Sequence, residues 1–154
     1  MSERRLRLLA AVLALAGIAV ASYLTWVHYE GIKPFCVAGG GGCERVQTSD
    51  YADLAGVPVA LIGLIGYVSI LASLLIPRDL GRFAGAFLGL VGFGFSVYLT
   101  YLELFVIDAI CQWCVASALL MTLLMIVLVA RAARGPDVAV RLAQPEMLEP
   151  VAPG

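Results

Sequence analysis

Four apolar runs leave this chain few folds to choose from. They extend from about Leu6 to Val27, Val57 to Ile76, Phe83 to Ile107 and Cys111 to Ala130. A helix needs about 20 residues to cross the hydrocarbon core of a bilayer, and each run is near or above that length. An open sheet cannot satisfy its backbone in lipid, so the runs are expected to be helices. Charged residues are only 14% of the 154, where a soluble domain has about 25%. The mean hydropathy is +0.97. The predicted fold class is an all-α integral membrane protein. It is a four-transmembrane-helix bundle with a large outer loop, Tyr29 to Gly56, between helices 1 and 2. Residues 1–133 make up the membrane domain, and the Pro-rich stretch 134–154 reads as a mostly disordered cytoplasmic tail.

The opening "MSERRLRLLA" has the basic start of a secretory signal. The apolar run behind it exceeds the roughly 7–15 residues of a signal core. It ends in "YLTWVHYE", an aromatic belt and not a cleavage site. A retained helix is expected.

Basic residues orient the bundle. Arg4, Arg5, Arg7, Arg78, Arg82, Arg131, Arg134 and Arg141 fall on one side, and only Lys33 and Arg45 on the other. Both termini are therefore expected to be cytoplasmic, with the long loop facing the bacterial periplasm or an equivalent oxidising space. All four cysteines then lie on the outer side, Cys36 and Cys43 in the loop and Cys111 and Cys114 at the outer end of helix 4. Disulfides persist in such a compartment. The net charge of -1 gives no sign of nucleic acid, and one His leaves little for a His-based metal site or a Ser-His triad.

Four cysteines allow three pairings. Static disulfides gain most by closing long loops. Cys111 and Cys114 close almost nothing, and Cys36 and Cys43 enclose only "VAGGGG", a run that reads as a floppy hairpin. C-x-x-C at a helix start is a redox arrangement, because the N-terminal amides and the dipole favour a thiolate there. Cys114, one turn inside the helix, is placed to meet a reactant dissolved in lipid. Cys111 is expected to be the more exposed, and to meet the mobile outer loop by thiol–disulfide exchange. A zinc site of four thiolates is a rival, though an oxidising side argues against free thiols, and no metal is expected.

Together "CVAGGGGCERVQTSDYADLAGVPVALIGLIGY" and the later "FSVYLTYLELFVIDAICQWC" resemble the vitamin K epoxide reductase family in its bacterial form, from about Tyr23 to Ala130. The resemblance implies that Cys36 and Cys43 are a shuttle pair exchanging with a thioredoxin-fold partner. Cys43 then passes electrons to Cys111, and Cys111 and Cys114 are the active-site pair, with Cys114 beside the quinone. It implies that Ser49 hydrogen-bonds near the quinone, and that the substrate or bound cofactor is a ubiquinone, menaquinone or vitamin K type quinone. Bacterial members of the family reoxidise DsbA-like periplasmic proteins in support of disulfide bond formation. Some carry a fused thioredoxin-like domain. Here the sequence stops about twenty residues past helix 4, so a partner in trans, in the bacterial inner membrane, is expected. Animal members place a Tyr four residues after the second cysteine of the C-x-x-C, where this chain has Ala118. Quinone reduction is therefore favoured over vitamin K epoxide reductase activity proper. The other rivals are a DsbB-type enzyme, in which the two cysteine pairs come in the reverse order, and a non-enzymatic membrane protein with structural disulfides.

Trp113 is a candidate cover for the quinone pocket or an interfacial anchor, and Tyr67 a pocket wall or a packing residue. Gly56, Val57 and Pro58 are expected to start helix 2. Gly63, Gly66, Gly85, Gly89 and Gly92 are expected to be small faces for close helix contact. Glu103, eight residues before Cys111, is an intramembrane acid and a candidate for handling protons. His28 reads as an interface residue.

Overall fold

A computed structural model of the chain describes residues 2–37, 41–76 and 78–134. The expected tail beyond Arg134 lies outside the described residues, as does Arg141. The four apolar runs become α1 (Glu3–Glu30), α3 (Val59–Ser73), α4 (Arg78–Phe105) and α5 (Gln112–Ala133), and a short α2 (Gly42–Gln47) lies in the loop between the first two. α1 packs on α3, α3 on α4, α4 on α5 and α5 on α1, so the four long helices close a ring.

α1 turns mostly small residues inward, against larger ones from α3 and α5. α1 buries Leu6, Ala10, Ala14, Gly17, Ala21 and Leu24, spaced three or four apart along one stripe. Small residues let helices approach closely in lipid, where no hydrophobic force drives them together. Leu8, Val12 and Leu15 of α1 and Phe83, Phe87 and Leu90 of α4 point outward and are exposed. An apolar outer surface of that extent belongs in a bilayer and not in water.

α1, α4 and α5 are long and apolar enough to cross a membrane. The four-helix bundle stands as expected, but α3 is shorter than the run that predicts it: its 15 residues span roughly 22 Å, against a core of about 30 Å. Its apolar run is used up at both ends. Val57 and Pro58 form strand β2, paired antiparallel with β1 (Asp53–Leu54). At the other end the backbone leaves the helix after Ser73. Ala55 and Gly56 both have positive φ, 54° and 82°, as a tight two-residue hairpin requires. Gly56 is thus the turn of a hairpin, and Pro58 is the residue that caps α3, not the first residue inside it.

An ionic clamp ties the bundle at the end away from the cysteines. Arg131 of α5, 6% exposed, donates from Nε and Nη2 to Glu3 Oε1 of α1 at 3.0 and 2.8 Å. Arg82 of α4 lies 3.6 Å from the same oxygen.

Candidate functional site

The site begins where α4 hands over to α5. The connection is short, and Glu103 holds it at two points. The Glu103 main-chain carbonyl accepts the Ala109 amide at 3.1 Å. Its side-chain Oε2 accepts the Cys111 amide at 3.1 Å. Cys111 is thereby fixed as the extended residue that precedes the first turn of α5, with φ -97° and ψ 114°. Cys114 follows inside that turn, at the positive end of the helix.

The outer loop is laid over this turn. Cys36 and Cys43 are joined in a disulfide, and Cys111 and Cys114 are free thiols. On one side of the disulfide the backbone around Cys36 is bonded to the C-x-x-C itself. The Val37 amide donates to Gln112 Oε1 at 3.0 Å. The Phe35 carbonyl accepts from Trp113 Nε1 at 2.8 Å and from Gln112 Nε2 at 3.3 Å. The Phe35 amide donates to the Tyr23 hydroxyl at 3.0 Å, and the Tyr23 ring lies 4.9 Å from that of Trp113. On the other side, Gly41 turns the chain at φ 65° into α2. Gly42 then presses against the next element: a Cβ placed on it would stand 2.5 Å from the Ile110 carbonyl oxygen. The residues next to Cys43 and next to Cys111 are therefore in backbone contact.

This arrangement corrects two expectations. Cys111 is not the more exposed of its pair. It is 0% exposed, as is Cys43, because α2 and the Phe35–Val37 segment cover it. Of the "GGGG" run expected to be a loose hairpin, Gly41 caps α2 and Gly42 is its first residue, and Gly39 and Gly40 lie outside the described residues. The Cys114 thiol donates to the Cys111 sulfur and holds the Cys111 thiol below its usual range. Burial and the charge of Glu103 push the other way.

Beneath the turn, inside the ring of helices, is a cavity of about 320 Å³, at the lower end of the roughly 300–1,000 Å³ of small-molecule sites. Cys114, Glu103, Ser49, Tyr67, Ser117 and Ala118 are among its lining residues. Of the residues singled out in the sequence, the cavity brings together Cys114, Ser49 and Tyr67. Ser49 donates to the Val46 carbonyl at 2.8 Å. Tyr67 is 1% exposed, its hydroxyl donates to the Ser117 carbonyl at 2.8 Å, and its ring lies against Gly17 of α1. It is thus both a packing residue and part of the wall. Trp113 is not among the lining residues. Its ring sits on Tyr23 and its N–H holds the outer loop.

The glycines divide. Gly85, Gly89 and Gly92 face Ser73, Leu128 and Met121 at close range, as expected. Gly63 and Gly66 have nothing within 4 Å of a would-be Cβ and line the cavity, so they leave room and do not pack. His28 also lines the cavity and lies 3.4 Å from Asp53 of the hairpin. The residues that sequence reasoning missed are Gln112, Gly42 and Ser117. No spacing marks them, because each acts through a neighbour distant in the chain. Among the described residues no group of three or more His, Cys, Asp and Glu is placed to hold a metal ion.

The vitamin K epoxide reductase family model matches residues 8–129, which includes all four cysteines, the outer loop, all of α3 and α4 and most of α1 and α5. The chain is also similar to the thiol-disulfide oxidoreductase LTO1 of Arabidopsis thaliana, 34% identical over 110 residues. The matched stretch is 64% of this chain and 29% of that protein, so it spans under a third of its relative.

Proposed function

The chain belongs to the vitamin K epoxide reductase family, and from that premise we propose that it is a membrane thiol–disulfide oxidoreductase. It takes two electrons from a reduced DsbA-like, thioredoxin-fold protein supplied in trans and delivers them to a membrane quinone. The observation that carries this reading is the seating of the outer disulfide. Phe35 and Val37 are bonded to Gln112 and Trp113, and Gly42 is pressed on Ile110, with Cys43 and Cys111 buried under the same cover.

The chemistry is a relay of thiolate attacks, each breaking one S–S bond as it makes another. A donor thiolate attacks Cys36, and Cys43 leaves as a thiolate. The donor's second thiol then resolves the mixed disulfide and frees Cys36. Cys43 attacks the Cys111 sulfur of the oxidised inner pair, and Cys114 is released as a thiolate at the cavity wall. Cys36 attacks Cys43, which restores the outer disulfide and frees Cys111. A quinone bound in the cavity supplies the final sink, taking up two electrons and two protons. A DsbA-type couple lies near about -120 mV, so the acceptor must be more oxidising still.

The cavity suits such a ring. Its walls are mainly apolar, Ser49 and Ser117 bring hydroxyls to them, and Cys114 forms part of the lining. Ser49 and Tyr67 are the proposed quinone-wall residues, and Trp113 serves as the clamp above them. The cysteines at one end of the bundle and the arginines paired with Glu3 at the other support cytoplasmic termini, and a bacterial inner membrane is the proposed location.

The test is purified protein with a reduced thioredoxin-fold donor and ubiquinone or menaquinone, followed by quinone absorbance. Cys111→Ala and Cys114→Ala should abolish turnover. Cys36→Ala and Cys43→Ala should abolish it with the protein donor and spare it with a small dithiol. Quinone reduction that survives Cys114→Ala overturns the reading.

A further inference from the structure

Glu103 is a carboxylate held at 6% exposure inside an apolar bundle, a placement that is costly without a compensating role. Its hydrogen bond to the Cys111 amide explains one oxygen, and a neutral Gln would serve there equally. The carboxylate has two further neighbours. Glu103 and Cys114 both line the cavity, and the thiol is an electrostatic partner of the carboxylate. The same thiol also reaches the Cys111 sulfur, so its proton has two acceptors to choose between. The other titratable groups around the cavity are His28 of α1, Tyr51 of the outer loop and Tyr67 of α3. Asp53 is paired with His28, Tyr67 is bonded to Ser117, and Asp108 on the connection is exposed.

We propose that Glu103 is a catalytic base, whose carboxylate takes the Cys114 proton directly and holds it at the cavity wall. This deepens the thiol-to-quinone reading above and rests on it. Oxidation of the Cys111–Cys114 dithiol to its disulfide releases two electrons and two protons. Both electrons leave through the sulfurs to the quinone acceptor. One proton passes from Cys114 to Glu103 and on into the cavity, which breaks the S–H bond without charging the site. The Cys111 proton goes to water on the outer side, and water returns one proton to the acceptor. Proton transfer inside the pair keeps its total charge constant, so the supply of Cys114 thiolate does not depend on pH across the neutral range. Without the carboxylate, a proton must leave the cysteine pair to solvent, directly or by way of the Cys111 sulfur, and thiolate then rises roughly tenfold per pH unit below the pair's pKa.

The experiment follows alkylation of Cys114 by iodoacetamide in the reduced, quinone-free protein from pH 6 to 8, as about the neutral span, resolved by peptide mass spectrometry. Quinone reduction is measured in parallel. Wild type should give a flat alkylation profile. Glu103→Gln should give a profile that rises about tenfold per pH unit, with quinone reduction at neutral pH lowered roughly 10²- to 10⁴-fold and recovering as the pH is raised. Glu103→Asp should keep the flat slope at a lower rate. A variant that merely misfolds exposes Cys114 as an ordinary thiol and shows the same slope, but it cannot recover quinone reduction as the pH is raised, so slope together with recovery marks the lost carboxylate. A flat Glu103→Gln profile, or a sloped wild-type profile, overturns the proposal. If wild type is flat and Glu103→Gln is sloped but wild type reduces no quinone, the proton transfer stands and the quinone reading fails.

Discussion

Replacing Gly42 with alanine should uncouple the outer disulfide from the inner pair. A Cβ at that position stands 2.5 Å from the Ile110 carbonyl oxygen. A relaxed carbon-to-oxygen contact is about 3.3 Å, so the two backbones must separate by about 0.8 Å. The atom met is main chain, in the connection that Glu103 ties to Cys111, so no flexible side chain can swing aside. The separation falls between the residue before Cys43 and the residue before Cys111. A misplacement of about 1 Å costs a positioned reaction up to about 10²-fold, and the expected loss for the exchange is therefore about 10- to 100-fold. An opposing effect is present, because alanine favours a helix over glycine by about 1 kcal/mol and Gly42 opens α2. That term stabilises α2 and leaves the clash unrelieved, so folding should hold while exchange fails. The assay is stopped-flow turnover with a reduced thioredoxin-fold donor, set against turnover with a small dithiol that reduces the inner pair directly. The first should fall and the second should not. Equal loss with both donors, or a protein-donor rate within about twofold of wild type, would refute the reasoning.

Further perturbations separate the parts of the site. In Cys114→Ala the side-chain hydrogen bond, the largest of the influences that lower Cys111, is gone, and the backbone bonds from positions 113 and 114 remain against burial and Glu103, both of which raise it. The Cys111 alkylation curve should therefore move to higher pH, as measured by the midpoint of its pH profile. Trp113→Phe keeps a ring on Tyr23 and deletes the bond to the Phe35 carbonyl. That bond is worth about 1 kcal/mol, or about fivefold, so protein-donor turnover should drop by about that factor with small-dithiol turnover unchanged. Gly17→Ala drives a methyl into the Tyr67 ring. Overpacking of this kind costs about 1–3 kcal/mol, and should appear as a lower thermal midpoint in detergent together with weaker quinone binding.

The long helices were legible because lipid imposes a length and a composition that few other structures share. The shortness of α3 was not. Val57 and Pro58 are as apolar as the helix they precede, and only pairing with Asp53 and Leu54 sets them apart. The cysteines were legible from their spacing and from their position at the ends of runs. Their relative exposure was not, because Cys111 is covered by α2, an element without an apolar run to announce it. Glycines carry one signal for two opposite jobs. Gly89 admits Leu128 and Gly66 leaves space for the cavity, and the difference depends on which face of the bundle each one meets. Gln112 and Phe35 are 77 residues apart, and nothing local in either marks the bond between them.

The relay stands or falls on direct exchange between the loop and the C-x-x-C. In the Cys36→Ser, Cys114→Ser double variant the two remaining thiols have no resolving partner. Mild oxidation in membranes, followed by proteolysis and mass spectrometry, should give one intramolecular cross-linked peptide, Cys43 to Cys111, in high yield and at low protein concentration. Cross-links only between separate chains, or two thiols that stay free under conditions that oxidise the Cys36–Cys43 pair of the wild type, would contradict the route.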